Sequence, residues 1–290
     1  MKIGIAGIGK MGAAIASRLA GVGHEMMVWN RSADKARATG LKVAADPAEL
    51  ASQCEVIVSI LADAAAVNEV YDRMLPAAKG KLFIEMSTVR PEVFKDLAAR
   101  VRKAGGAFVE CPVGGTVGPA KEGKLFGFVG GADADVARAR PVLEQMCRRV
   151  EHVGPAGAGA SMKLAINLPL IVYWQALGEA LSLVGHLDLD PKRLMDILAD
   201  TSGAPAMLKN RGPSIAEALA GKENKSPTVT IDTLKKDLAE MVAEAKALGY
   251  DSPVTSGALA SFDRASKSGL GAKDCTSMPV AWVARSVRRT

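Results

Sequence analysis

Apolar and polar positions divide the chain into two parts, and the first part alternates short apolar runs with amphipathic ones. Lys2–Ala6 is an apolar run of strand length, and Met11–Ala20 then repeats apolar residues at helical spacing. Strands alternating with helices predict βαβ units, hence a mostly parallel sheet covered on both faces and joined by right-handed connections. We therefore predict an α/β fold with a doubly wound sheet. The predicted strands are Lys2–Ala6, Glu25–Trp29, Lys42–Ala44, Val56–Ile60, Leu82–Glu85, Phe108–Cys111 and Phe126–Val129.

From about Ser161 onward the pattern indicates helices alone, and no strand is predicted after Val153. We predict two domains: residues 1–160 carry the sheet, and residues 161–290 form an all-α domain. Residues 161–185 are predicted to be a long interdomain helix at the start of the second domain. The predicted helices are Ser161–Val184, Pro191–Ala199, a segment near Ser214–Ala220, Ile231–Leu248 and Pro253–Ser268.

Composition and charge narrow the class of protein. Of the 290 residues, 49% are hydrophobic and 23% are charged, which is typical of a soluble globular protein. The net charge of +6 comes from scattered Lys and Arg without interleaved aromatics, so a small anionic partner is favoured over nucleic acid. Four cysteines without CxxC spacing and three histidines predict no metal site. Reduced thiols and the absence of a charged leader before the first strand predict a cytoplasmic protein.

The longest apolar run, Leu164–Val184, has the length of a membrane span. It contains Asn167, Pro169, Gln175 and Glu179, whose polar groups are costly in lipid, so a buried helix is the better interpretation and no membrane partner is expected. A domain this small does not cover several apolar helical faces by itself. We therefore expect a homodimer or homotetramer with this helix near the interface.

A glycine-rich turn directly follows the first predicted strand and opens a helix, reading Gly7-Ile8-Gly9-Lys10-Met11-Gly12. Gly7 permits a tight turn, Gly9 allows the backbone to approach a pyrophosphate, and Gly12 allows close helix packing. The amides and the dipole at such a helix start favour phosphate. Glycine-rich turns also occur for structural reasons alone, but the strand before this one and the helix after it favour a dinucleotide site.

The second strand is followed by Asn30-Arg31-Ser32, where NAD-binding proteins usually place a carboxylate for the ribose 2′-hydroxyl. Arg31 instead offers a planar cationic donor for a 2′-phosphate, and Ser32 adds a hydroxyl. Arg31 could also be an ordinary solvated loop residue. Its position favours the functional interpretation, which predicts NADP over NAD.

Lys163 and Asn167 are four residues apart in the long apolar helix, so they share one helical face. A lysine partly desolvated there is expected to have a depressed pKa and to be a competent proton donor, with the amide orienting it and a substrate oxygen. A lysine that extends its charged end to solvent is an equally good interpretation of the residues alone.

Four separated motifs together resemble the β-hydroxyacid dehydrogenase family, which includes 3-hydroxyisobutyrate, tartronate semialdehyde and glyoxylate/succinic semialdehyde enzymes. The glycine turn is one of them. Glu110–Thr116 is similar to the family's D-A-P-V-S-G-G loop, and Gly157–Asn167 to G-x-G-x-x-x-K-x-x-N-N. Lys236-Asp237-Leu238 is similar to the family's K-D-L. The resemblance implies a Rossmann domain binding NADP(H), an all-α domain, and hydride exchange with a small β-hydroxy acid or aldehyde acid.

The resemblance also assigns roles to individual residues. Lys163 matches the catalytic lysine and Asn167 the asparagine that helps hold the substrate. The implied cofactor contacts are Leu61 and Ala62 on the adenosine side, Thr88 beside the nicotinamide ribose, and Lys236 closing over the cleft. Thr88 could instead cap a helix, and Lys236 could be a solvated helix lysine.

The implied substrate contacts form a loop of Gly114, Gly115 and Thr116, whose backbone amides bind the acid group. Gly114 stands where the family usually has serine, Thr116 where it has a second glycine, and Ile166 where it has the first asparagine of its N-N pair. These departures leave the identity of the substrate open. Two alternatives to this activity are an imine reductase-like NADPH enzyme and a cofactor-binding module without turnover.

Overall fold

The computed structural model describes residues 1–222 and 226–287. The chain divides into two compact units, Met1–Leu164 and Ala165–Thr290. The first unit contains a nine-stranded sheet, and helices make up the second, apart from one isolated bridge between Thr230 and Asp274.

The strands of the first unit alternate with helices as predicted. In chain order the strands are β1 Lys2–Ala6, β2 Glu25–Trp29, β3 Lys42–Val43, β4 Val56–Ser59, β5 Leu82–Glu85, β6 Ala107–Glu110, β7 Val113–Gly114, β8 Leu125–Gly131 and β9 Cys147–Gly154. The helices are α1 Lys10–Gly21, α2 Ala33–Arg37, α3 Pro47–Gln53, α4 Ala64–Met74, α5 Pro91–Lys103, α6 Val117–Glu122 and α7 Asp133–Met146.

The sheet has the order β3-β2-β1-β4-β5-β6-β8-β7, with β9 beside β8. Strands β1 to β6 are parallel, and their order is that of a Rossmann fold, with the reversal between β1 and β4. Apolar side chains fill both faces: Val56 and Val58 pack into one buried cluster, whereas Ile57 packs into the other. The predicted fold class, a doubly wound sheet followed by a helical region, is confirmed.

Two strands, β7 and β9, were not predicted, and each omission has a physical reason. β9 carries Arg148, Arg149 and Glu151, and most of its residues are exposed or half-buried. Among the described strands it pairs with β8 alone, so it lacks the buried face that produces an apolar alternation. β7 has only two residues and joins β8 antiparallel, as β6 does. The seven predicted strands match to within two residues at each end.

The second unit continues a helix that begins in the first. The helices are α8 Ala158–Val184, α9 Pro191–Ala199, α10 Ala206–Leu219, α11 Ile231–Ala247, α12 Pro253–Ala265 and α13 Ser277–Val287. α8 begins at Ala158 rather than Ser161, and α10 begins before Pro213, which lies inside it. α13 was not predicted; a Cβ at Gly178 of α8 would clash with Trp282 of α13, so the two helices pack closely there.

The helical stretch Ala158–Leu187 is long and apolar enough, by length and composition, to cross a membrane. Core helices of soluble proteins pass the same test. Two of its polar side chains are paired within the second unit: Gln175 donates to Glu179 at 2.7 Å and accepts from the Trp282 indole at 3.1 Å.

Candidate active site

The largest concentration of predicted site residues lies where the strand order reverses, at the carboxyl ends of β1, β2 and β4. A cavity of about 460 Å³ opens there, as expected for a ligand site in a doubly wound fold. It is bounded on one side by α4, through Ala66, Glu69 and Val70. Ten residues predicted to bind the cofactor line it: Gly7, Gly9, Lys10, Met11, Gly12, Asn30, Arg31, Ser32, Leu61 and Ala62.

The three glycines of the turn serve different physical purposes. Gly7 has φ of +99°, and a Cβ there would clash with the Ile60 carbonyl; a Cβ at Gly12 would clash with the Gly7 carbonyl. A Cβ at Gly9 would meet nothing within 4 Å. Gly9 occupies the cap position of α1 without a side chain to accept from the first-turn amides, and that turn carries no acidic residue. This helix start therefore suits the pyrophosphate of a dinucleotide.

Asn30 connects the glycine turn to the loop after β2. Its Oδ1 accepts from the Ile8 amide at 2.9 Å, and its Nδ2 donates to the Ser32 carbonyl at 3.0 Å. The side chain thus holds the two loops together beside the cavity. Sequence analysis gave Asn30 a cofactor contact but missed this role.

The loop after β2 brings two cationic side chains to the cavity. Arg31 and Lys35 are both exposed and line it, and Lys35 was missed in the sequence. The nearby carboxylate of Asp34 is paired with Arg37 at 2.8 Å. The sequence does show a cation, Lys35, four positions after Arg31, and this spacing of one helical turn could have predicted it.

A row of buried polar residues crosses the carboxyl ends of β4 and β5. Ser59 donates to Glu85 at 2.5 Å, and Glu85 also accepts from the Ser87 amide at 2.7 Å. The Ser87 hydroxyl accepts from the Leu61 amide at 2.7 Å, which ties the row to the cavity wall. Burial raises the pKa of Glu85 to about 7. Thr88 follows Ser87 in this loop, half-buried and outside the lining of the cavity.

The loop after β6 contains the predicted substrate residues, which also lie outside that lining. Gly115 has φ of +121°, and a Cβ there would come within 2.8 Å of Leu125, so the fold itself requires glycine. A Cβ at Gly114 would make ordinary contacts with Phe128 and Phe126, at 3.7 and 3.8 Å. Thr116 is exposed and occupies the cap position of α6. The absence of serine at position 114 therefore has no steric cause.

Lys163 and Asn167 are one turn apart on α8, and both are half-buried. Lys163 falls within the first unit and Asn167 within the second. Lys236 lies on α11 of the second unit, where its Nζ is 2.9 Å from Oδ1 of Asp237. In the described part of the chain, no cluster of three or more His, Cys, Asp or Glu could hold a metal ion.

Glu110, at the end of β6, is a buried acid that sequence analysis did not single out. One of its oxygens accepts from the backbone amides of Gly157, Gly159 and Ala160, at 2.8, 2.7 and 3.3 Å. Burial raises its pKa to about 7 against the opposing effect of these hydrogen bonds, and the neighbouring Glu85 adds to the rise. The sequence signal that could have identified Glu110 was a carboxylate within a predicted strand, followed later by a G-x-G at a helix start.

Comparison with known proteins matches nearly the whole chain. Residues 2–154 match the family described as the NAD binding domain of 6-phosphogluconate dehydrogenase. Residues 157–281 match the NAD-binding domain of NADP-dependent 3-hydroxyisobutyrate dehydrogenase. Glyoxylate/succinic semialdehyde reductase 1 of Arabidopsis thaliana is 31% identical over 94% of this chain and 96% of its own length.

Solved structures agree with these matches. The 3-hydroxyisobutyrate dehydrogenase of Salmonella typhimurium superposes with a TM-score of 0.86 at 25% identity, covering 96% of this chain and 99% of that one. Psf3, solved in complex with NADP+ and 2-OPP, gives 0.84 at 27% identity with the same coverage.

The fold, the cavity and these matches together define an NAD(P)-binding oxidoreductase. The chain belongs to the β-hydroxyacid dehydrogenase family. The family and its members support hydroxyacid dehydrogenase activity for this chain.

Proposed function

We propose that this chain exchanges a hydride between NADP(H) and a small β-hydroxy acid or aldehyde acid, with Lys163 as the proton donor. The observation that carries the proposal is the placement of Lys163 and Asn167 one turn apart on α8, both half-buried, in a member of this family. A half-buried amine with an amide one helical turn away suits proton transfer to a carbonyl oxygen.

The nicotinamide, when bound, supplies or accepts the hydride. In the reducing direction, Lys163 holds a proton on Nζ, and its charge stabilises the oxygen anion that develops on the substrate before the proton is transferred. Asn167 orients that oxygen. Thr88 and Lys236 are proposed to contact the cofactor on its nicotinamide side.

The substrate is proposed to be anionic, with its acid group held by backbone amides of Gly114, Gly115 and Thr116. The positive φ of Gly115 supports this role, because such a turn can direct successive amides to one side. A Cβ built at the half-buried Gly114 would lie 3.7 Å from the Phe128 ring and 3.8 Å from the Phe126 Cβ, so this loop has an apolar side. A short acid with an apolar carbon next to the carbonyl fits those surroundings.

A preference for NADP over NAD is supported by the cations at the cavity. Arg31 and Lys35 are both exposed there. The carboxylate of Asp34 in the same loop pairs with Arg37 and not with either of them. Arginine and lysine are the side chains best suited to a 2′-phosphate. That Psf3 was solved with NADP+ adds to the support.

The assembly is proposed to be a cytoplasmic homodimer or homotetramer, without a nucleic-acid or membrane partner. α8 exposes Met162, Ile166, Leu170 and Leu183, an apolar set that a second copy of the chain would cover. Sedimentation at micromolar concentration should give a species larger than a monomer. A monomer throughout would contradict this assembly.

The activity is tested with purified protein, NADPH or NADH, and a panel of short aldehyde acids and cyclic imines. We expect oxidation of NADPH with at least one aldehyde acid and none with the imines. Turnover of imines alone would favour an imine reductase. Cofactor binding without turnover, in either direction and with hydroxy acids added, would indicate a binding module.

A further inference from the structure

The start of α8 has an uncommon arrangement of hydrogen bonds. The first backbone N–H groups of a helix have no partner inside the helix and need an acceptor elsewhere. Usually a nearby side chain serves one or two of them. Here Oε1 of Glu110 accepts from Gly157, Gly159 and Ala160, all at 3.3 Å or less. One buried oxygen, from a strand end about fifty positions earlier, thus accepts from three amides at the start of α8, and the Ala158 amide donates to the Pro155 carbonyl instead.

Glycines make room for this carboxyl group on both sides. A Cβ at Gly130 would clash with Oε1 of Glu110, and a Cβ at Gly159 would clash with the Phe128 carbonyl. Gly157 has φ of +97°, which side-chain-bearing residues rarely adopt. Close backbone packing at Gly159 and the positive φ at Gly157 therefore explain the G-x-G at the start of the lysine helix.

Glu110 also connects two segments of the proposed site. It ends β6 and directly precedes the loop Cys111–Thr116. Gly159, which it holds, is one turn before Lys163 on the same face of α8. Helical side chains lean toward the N-terminus of their helix, so the position of this first turn determines where the lysine chain begins and is directed.

The neighbouring acid shows that burial alone does not produce such a link. Glu85 is paired in register with Glu110 on β5 and is equally buried. Its hydrogen bonds go to Ser59 and Ser87, at the ends of β4 and β5. Of the two acids, Glu110 is the one directed at the lysine helix.

We propose that Glu110 is a positioning residue: its three hydrogen bonds hold the first turn of α8, and with it Lys163, at a fixed distance from the Cys111–Thr116 loop. The inference rests on the proposed function, in which Lys163 and that loop act on one substrate. Displacing a catalytic group by about 1 Å can cost about 100-fold in rate, so loss of this anchor is expected to reduce turnover.

The test uses the full chain and four variants. Glu110→Leu removes the acceptor while filling its volume, and Glu110→Gln keeps an oxygen that can accept the same hydrogen bonds. Asp46→Ala is the matched control, because Asp46 caps α3 in the same unit by accepting from the Glu49 amide at 2.8 Å. Lys163→Met is assayed beside them. The measurements are kcat and KM with saturating NADPH, NADPH affinity by fluorescence, and amide hydrogen exchange over residues 157–161.

We expect Glu110→Leu to lower kcat about 100-fold, with NADPH affinity within threefold of the wild type. Glu110→Gln should recover kcat to within about tenfold, because its amide oxygen accepts where the carboxylate did. Asp46→Ala should lower thermal stability and leave kcat within twofold. Amide exchange over residues 157–161 should accelerate in Glu110→Leu, less in Glu110→Gln, and not in Asp46→Ala.

The inference is overturned if Glu110→Leu keeps kcat within threefold, or if Glu110→Gln is as slow as Glu110→Leu. Should Glu110→Leu fail to fold, Glu110→Ala, which also removes the acceptor, takes its place: unchanged exchange over residues 157–161, or kcat within threefold of the wild type, contradicts the proposal. The Lys163→Met variant distinguishes failure of the proposed function from failure of the positioning role. If Lys163→Met keeps full turnover, the lysine mechanism is wrong; if it loses turnover while Glu110→Leu keeps it, only the positioning role is wrong.

Discussion

Two helix starts in the first unit look alike in sequence and differ in what they bind. α1 begins after Gly7-Ile8-Gly9 and α8 after Gly157, within a second G-x-G. No side chain caps the start of α1, which opens to a cavity. The start of α8 already holds the carboxyl group of Glu110. The same backbone chemistry receives a ligand's anion in one case and the protein's own acid in the other.

The largest expected effect on cofactor affinity comes from giving α1 an acid of its own. Gly9→Asp should weaken NADPH binding about 100-fold, since a carboxylate then competes for the amides and repels the pyrophosphate. The fold should be retained or slightly stabilised by the new cap. Fluorescence titration with NADPH measures the affinity.

Gly9→Ala is the matched control for that variant. A Cβ at Gly9 meets no protein atom within 4 Å, so the fold should be unaffected, and crowding of the pyrophosphate by one methyl group should weaken affinity less than Gly9→Asp does. Equal weakening by Ala and Asp would mean that steric exclusion, and not anion competition, decides binding at α1.

A smaller effect is expected at the other end of the cofactor. Arg31→Ala should weaken NADPH binding about 30-fold and NADH binding less than twofold, because only the 2′-phosphate needs the guanidinium. Lys35→Ala should act in the same direction more weakly. Equal losses for both cofactors would contradict the predicted discrimination, whereas Arg37→Ala, at a residue paired with Asp34, should change neither.

Glu110, whose carboxyl group lies at the start of α8, and the neighbouring Glu85 should make the stability of the protein depend on pH. Burial raises the pKa of Glu85 and of Glu110 from 4.5 to about 7. Between about pH 5 and about pH 7 the folded chain therefore binds more protons than the unfolded chain, and the free energy of unfolding falls as pH rises. We expect each of these two acids to contribute about 2 kcal/mol to that decrease, measured by urea denaturation.

Glu85→Gln should make that decrease smaller, because one of the two titrating groups is gone. Glu122→Gln is the control: the pKa of this exposed acid is lowered by Lys124, so it titrates below the window. If Glu85→Gln leaves the slope of the unfolding free energy against pH unchanged, Glu85 does not titrate between about pH 5 and about pH 7.

The smallest effect is expected in the loop that Glu110 precedes. Gly114→Ser should fold normally, because its Cβ makes only ordinary contacts, and should change kcat/KM among short aldehyde acids about three- to fivefold. Gly115→Ser should instead destabilise the protein by about 1–3 kcal/mol, because of its positive φ and the contact with Leu125. Thermal unfolding and a substrate panel distinguish the two variants.

Local patterns predicted the fold, the glycine turn and the loop after β2, because each depends on residues near one another in the chain. The parallel order of β1, β2 and β4 then brings ten of the predicted cofactor residues, from three separate segments, to one cavity. β9 was missed because an edge strand needs no apolar alternation. Glu110 was missed because its partners are about fifty positions away, and only the folded sheet brings them to it.

Lys163 is the residue on which the proposed chemistry depends. The most direct measurement is the single-turnover rate of NADPH oxidation in Lys163→Met, with an aldehyde acid that the wild type reduces, beside its NADPH affinity. If Lys163 is the proton donor, the rate should be at least about 1000-fold lower than in the wild type, with affinity within about twofold. A rate within tenfold of the wild type would contradict Lys163 as the proton donor.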